Sequence, residues 1–155
     1  MPKLDLDAIP ATNRTTYPMP FAANMAKRWF RRLAPAASLA DFGISHVRLE
    51  PGGMSSQRHW HDDPDEFVVI LEGEAVLIEE DGETILRAGD CAAFPKSVAN
   101  GHHLVNRSDQ DCLFLAIGGA GDTGCHYPDV DLDWNAAEQR YTHKDGTPYA
   151  VAGTS

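Results

Sequence analysis

One stretch constrains this chain more than any other: Gly53-Met-Ser-Ser-Gln-Arg-His59-Trp-His61-Asp-Asp-Pro-Asp-Glu66-Phe-Val-Val-Ile-Leu-Glu-Gly73. On a β-strand, side chains two apart face the same way, so His59 and His61 point into one space while Trp60 points out of it. Glu66 has the wrong parity for the same straight strand. The Asp62-Asp63-Pro64-Asp65 segment reads as a turn, after which Glu66 opens a second strand and swings back to the same point. Two neutral imidazoles and one carboxylate are a donor set for a divalent transition metal. A pair of surface histidines in a polar loop is the plainer alternative. Spacing, turn and flanking strands together favour the metal.

The rest of the chain supplies short strands and close turns. A polar–apolar alternation begins at Leu39-Ala40, runs through Phe42, Ile44, Val47 and Leu49, and stops at Pro51-Gly52-Gly53. Residues 66–71, 75–80, 84–87, 91–94, 102–105 and 112–117 read as strands. Asp81-Gly82 is the strongest hairpin signal. Such a pattern predicts an all-β sandwich or barrel in one domain spanning 1–155. Residues 1–38 form an N-terminal arm whose first part is punctuated by Pro2, Pro10, Pro18 and Pro20. An arm of this kind covers a sheet edge, in its own subunit or a neighbour's. The stretch 25–33 fits either a strand or a short helix. The barrel occupies 39–118, and 119–155 is an irregular C-terminal tail packed on the barrel or on a partner. Within the tail, 129–134 could add an edge strand and 135–140 one helical turn. Gly119-Ala-Gly121-Asp-Thr-Gly124 matches G-x-G-x-x-G. Tyr127-Pro128 follows almost at once and no βαβ unit surrounds it, so it reads as a flexible exit loop.

The central stretch resembles the first cupin motif at every position: glycine, five residues, His-x-His, four residues, Glu, six residues, glycine. Gly89, five residues and Pro95 resemble the start of the second motif, and His102 with Asn106 its end. The interval from Pro95 to His102 is two residues longer than usual, and Ser97 stands where the family has glycine. The resemblance implies a cupin-type jelly-roll β-barrel with a metal inside, held by His59, His61, Glu66 and His102. His103 remains the alternative to His102. The ligand set suits Fe, Mn, Ni, Cu or Zn without choosing among them. Each donor atom must be deprotonated, so the site should lose metal as pH falls.

Charge and composition narrow the partners. The formal charge of −10 argues against a nucleic-acid partner. Lys27, Arg28, Arg31 and Arg32, interleaved with Trp29 and Phe30, read as a solvated face or subunit contact before an anion-recognising patch. Three scattered cysteines, Cys91, Cys112 and Cys125, imply no disulfide framework. No run is long enough to span a membrane and no signal-peptide core is present, which predicts a cytoplasmic protein. Both faces of Phe67-Val68-Val69-Ile70 are apolar and need cover, which predicts a homodimer.

Candidate groups beside the metal are Gln57, on the parity of His59, and His126 and Tyr127, which with Cys125 could cap the barrel mouth. For those in the tail, plain packing is the simpler expectation, as it is for Tyr141 and His143. His46 reads as a satisfied structural histidine. No G-x-S-x-G is present, which argues against covalent hydrolysis. The resemblance implies a small metal-dependent enzyme acting on a small oxygenated molecule, as a dioxygenase, decarboxylase or isomerase. The alternative is a non-catalytic domain that binds a metal or small ligand.

Overall fold

Val68 and Ile70 point one way from their strand and Phe67 and Val69 the other, and both sets are apolar. A strand of that kind belongs in the middle of a sheet, and there it lies. The structure, a computed structural model, describes residues 3–119 and 124–150. Its strands are β1 (Arg28–Arg32), β2 (Phe42–Leu49), β3 (Trp60–Asp63), β4 (Glu66–Glu72), β5 (Glu74–Glu79), β6 (Gly82–Arg87), β7 (Cys91–Phe94), β8 (His103–Val105), β9 (Cys112–Gly119), β10 (Gly124–Tyr127), β11 (Leu132–Asn135) and β12 (Arg140–Thr142). They form antiparallel sheets ordered β1-β2-β9-β4-β7, β12-β11-β10-β3 and β6-β5-β8. The architecture is the all-β jelly roll that the sequence predicts.

Register decides what the five-stranded sheet shows to the interior. Residues directly opposite one another share a face. One inward row is Phe30, Val47, Phe114 and Ile70. Against it pack Ala75, Leu77, Leu86 and Leu104 from the three-stranded sheet, forming the main core. Two rows further along, the inward residues are Gly43, Gly118, Glu66 and Phe94. Between them lies Arg32, Ser45, Ala116 and Val68. The middle positions of these two rows are glycine, serine and alanine. The core therefore ends there and an open space begins, with Glu66 at its edge.

The turns are fixed locally. Gly73 has φ of +71°, and an added Cβ would collide with the Asp111 carbonyl oxygen, so no other residue fits comfortably between β4 and β5. Asn106 is fully buried and its amide is fully used: it donates to the Leu49 and Gln110 carbonyls and accepts from Ser108. That asparagine pins the loop after β8.

The arm pairs with the edge strand where Thr12 and Phe30 exchange backbone hydrogen bonds of 3.0 and 2.9 Å. A short 3-10 helix, Phe21–Met25, follows. The ambiguous 25–33 stretch resolves into both forms, β1 and then the single-turn helix α1 (Leu33–Ala36). The tail is more regular than its composition suggests. β10, β11 and β12 form a sheet with β3, and β11 lies inside it rather than at an edge. Residues 135–140 make a turn rather than a helix. A second core of Tyr17, Met25, Cys125, Tyr127 and Leu132 joins arm to tail. The apolar alternation through Cys125 and Tyr127 gave the tail a face to bury, which is why it forms strands. Arg58 clamps this layer with a bidentate pair to Asp129 and a contact of 2.7 Å to Glu80. Of the glycine-rich stretch 119–124, Gly119 ends β9 and Gly124 opens β10, and residues 120–123 lie outside the described residues.

Candidate metal centre

The metal stretch folds as its spacing predicts. His59 sits just before β3 and pairs in an antiparallel bridge with His102. β3 carries His61, and Glu66 opens β4. Glu66 Oε2 is the hub: it lies 3.0 Å from His102 Nε2, 3.4 Å from His61 Nε2 and 3.8 Å from His59 Nε2. Donor atoms of His59, Glu66 and His102 all lie within 4.8 Å of one another, and so do those of His59, His61 and Cys125.

The surroundings orient these rings. His59 Nδ1 donates to the Gln57 carbonyl at 2.8 Å, which leaves Nε2 with a lone pair facing the cluster. The ring of His102 stacks on Phe94. His61 has both ring nitrogens buried without a hydrogen-bond partner, a state that buried polar groups rarely keep. Its approach to Glu66 is close but not aligned as a hydrogen bond. An orphaned imidazole beside two oriented ones and a carboxylate fits a divalent metal, and these residues could hold one.

The electrostatics agree. Burial pushes His59 down to about 4, so it is neutral near pH 7. Burial alone would raise Glu66, but His102 and His61 beside it hold its carboxyl well below the usual carboxylate range. Burial also disfavours a cation at His61, yet Cys125 and Glu66 prevail and raise it to about 10. The cluster opens on a cavity of about 580 Å³, within the range of small-molecule sites. Tyr127, Tyr17, Tyr141 and Phe114 are among its walls.

The model of the cupin domain family matches residues 45–118. A solved structure described as a sugar phosphate isomerase from a cupin superfamily, from Silicibacter pomeroyi, is 41% identical over 99% of this chain and 100% of its own, with a TM-score of 0.90. This chain belongs to the cupin superfamily. A candidate sugar phosphate isomerase from Acidithiobacillus ferrooxidans is 26% identical over 76% of this cupin and 77% of its own chain, with a TM-score of 0.69. The polyketide cyclase RemF from Streptomyces resistomycificus, 16% identical over 84% of this cupin and 87% of its own chain with a TM-score of 0.69, shares the fold. No protein of curated function matches the sequence.

The structure separates the remaining candidates. His102, not His103, reaches Glu66; His103 Nδ1 instead donates to the Ser56 carbonyl at 2.9 Å. Gln57 lies outside the cavity lining and is buried with its side-chain nitrogen unpartnered; what it offers the site is its backbone carbonyl. His126 points away from the cavity, because on β10 it has the parity opposite to Cys125 and Tyr127. It stacks on Trp60 at 4.2 Å and meets Asp62 at 3.1 Å. Tyr127 is buried in the cavity wall, with its ring 5.8 Å from that of His59. Tyr141 also lines the cavity, while His143 sits outside it against Asp131. Sequence reasoning placed Cys125 at the barrel mouth rather than beside His59 and His61. The strand alternation of Cys125, His126 and Tyr127 was the available signal.

The basic cluster divides. Arg31 bonds the Ile9 carbonyl and Lys27 the Pro51 carbonyl. Arg28 and Arg32 line the cavity.

Proposed function

We propose that this cupin is a metal-dependent isomerase of a small oxygenated molecule of the sugar-phosphate kind, with the metal held by His59, His61, Glu66 and His102. The convergence of three imidazoles on Glu66 in the wall of the cavity carries the reading. The full-length similarity to the Silicibacter pomeroyi protein described as a sugar phosphate isomerase supports the reaction class.

A divalent ion bound there supplies Lewis acidity that polarises a carbonyl and stabilises the charge that develops beside it. The protein's own groups do the rest. The Gln57 carbonyl and the Phe94 ring hold His59 and His102 in place. Burial raises Tyr127 far above the ordinary phenol value, so its hydroxyl keeps its proton within the cavity wall. Tyr17, Tyr127 and Tyr141 pack against one another and exclude water from that wall.

The test is elemental analysis of untagged protein, followed by proton NMR of candidate sugar phosphates in D₂O. Near-stoichiometric metal with deuterium entering the carbon next to the carbonyl supports the isomerase. Iron with substrate-dependent O₂ uptake moves the assignment to a dioxygenase. No metal, and none taken up on reconstitution, overturns the reading and favours a binding domain.

We also propose that the working protein is a cytoplasmic homodimer. The outer face of the five-stranded sheet aligns Ile44, Ile117 and Phe67, with Phe67 39% exposed, where a solvated face would be polar. Light scattering should give twice the monomer mass, and Phe67→Lys should lower it. A wild-type monomer would sink the dimer.

A further inference from the structure

The cavity of this acidic protein is basic. Among the described residues that line it, Glu66 is the single carboxylate, while Arg28 and Arg32 both contribute. The two arginines are four apart on β1 and face inward on the parity of Phe30. Phe30 lies between them, its ring centroid 5.4 Å from the Arg28 guanidinium carbon and 5.9 Å from that of Arg32. Such stacking fixes a guanidinium plane without neutralising it.

Neither arginine has a carboxylate partner among the described residues, although Arg48, Arg58, Arg87, Arg107 and Arg140 all do. Arg28 is largely buried. One of its nitrogens, Nη1, donates to the Ser55 carbonyl at 2.8 Å, and its Nε is buried without any partner. A guanidinium withdrawn from water without a counter-charge is costly, and its planar fork matches a carboxylate or phosphate. The missing counter-ion points to the ligand. Between β1 and β4 lie only β2 and β9, a gap of roughly 14 Å between strand axes. Opposite Arg32 and one row beyond it, the inward side chains are Ser45, Ala116, Gly43 and Gly118, so nothing bulky fills that end. Arg32 borders that space from one side and Glu66 from the other, whereas Arg28 sits opposite Leu49, beyond the Phe30–Val47–Phe114 row, and meets the same cavity near Tyr17, Tyr127 and Tyr141.

We propose that Arg28, assisted by Arg32, is an anion subsite that receives a terminal phosphate or carboxylate of the substrate while its other end lies at the His59–His61–Glu66–His102 cluster. The inference rests on the reading of the cavity as a substrate site, and adds to it the charge of the substrate and the residue that selects it. It does not depend on which metal is bound.

The experiment is calorimetric titration of full-length, chelator-stripped protein with D-ribose 5-phosphate, D-ribonate and D-ribose. The metal is removed so that it cannot bind the anion itself. Wild type should bind a charged probe at least about tenfold more tightly than ribose, and the tighter of the two names the anion. Arg28→Gln should weaken that probe roughly 30-fold or more and leave ribose unchanged. Arg28→Lys keeps the charge but loses the fork, so it should fall between them, and it carries the test if thermal melts show the Gln variant unfolded. Arg107→Gln, on the surface pair with Glu83, should match wild type. Full anion affinity in a folded Arg28→Gln, no preference over ribose in wild type, or equal loss in Arg107→Gln each overturns the subsite. Metal uptake on reconstitution of the same preparation, measured in parallel, keeps the two readings apart. A protein that never takes up metal sinks the isomerase, while the anion preference still decides the role of Arg28.

Discussion

The rings of Phe94 and His102 lie face to face, 3.6 Å between centroids and 3° between planes. Phe94 is also the residue directly opposite Glu66 on the neighbouring strand. One aromatic side chain thus sets the plane of an imidazole while its own strand positions the carboxylate that the imidazole meets. Phe94→Leu keeps an apolar side chain there and removes the flat surface. Metal affinity should fall about 10- to 100-fold, as for other groups that orient metal ligands. Competition with a calibrated chelator measures it, and unchanged affinity would show that the stacking does not orient the ligand.

Removing a donor should act more strongly. Glu66→Ala or His59→Ala should leave a folded barrel, because neither side chain belongs to the main core. Metal content should drop to a small fraction of wild type by elemental analysis. Near-normal content in both variants would contradict the ligand assignment.

Core stability should depend heavily on Phe114, which is 2% exposed and lies between Val47 and Ile70 on the inward row. Phe114→Ala should cost about 3–5 kcal/mol in chemical denaturation, since a cavity of ring size opens in a packed interior. A loss under about 1 kcal/mol would mean that the two sheets close over the gap.

Alkaline pH should weaken the fold through Cys112. Burial pushes this fully enclosed thiol up from 9.0 to about 11. The unfolded chain therefore releases the proton first, and between those values the native state binds more protons than the unfolded one. Stability is intact below pH 9.0 and declines as pH rises toward about 11. Cys112→Val should remove part of this slope in melts followed across that window. An identical slope would assign the effect to other groups.

Much of this was legible in the sequence, and the limits have physical causes. Period-two patterning placed β2, β4, β5 and β9 to within a few residues, because those strands bury one side chain in two. The parity of His59 and His61 and the turn before Glu66 brought three donors together. His102 against His103 was open until the bridge between His59 and His102 set the parity of that segment. The split of the basic cluster was unreadable for a related reason. Arg28 and Arg32 face inward and Arg31 outward only if the segment is a strand, and its composition allowed a helix. Cys125 was missed as a neighbour of His61 because their strands pair across more than sixty intervening residues, a contact no local pattern reports.

The row of small side chains beside Glu66 has a consequence for how such a protein changes its substrate. The candidate metal cluster stands on β3 and the residue before it, on β4 and on the segment before β8, whereas the space between it and Arg32 is set by Gly43, Ser45, Ala116 and Gly118 on β2 and β9. Under the proposed function, the groups that act and the groups that limit size therefore sit on different strands. A methyl group added at Ser45 or Ala116 shortens the room available without touching a donor atom. A lineage, or an engineer, can retune which molecules enter by adjusting those positions and leave the chemistry in place.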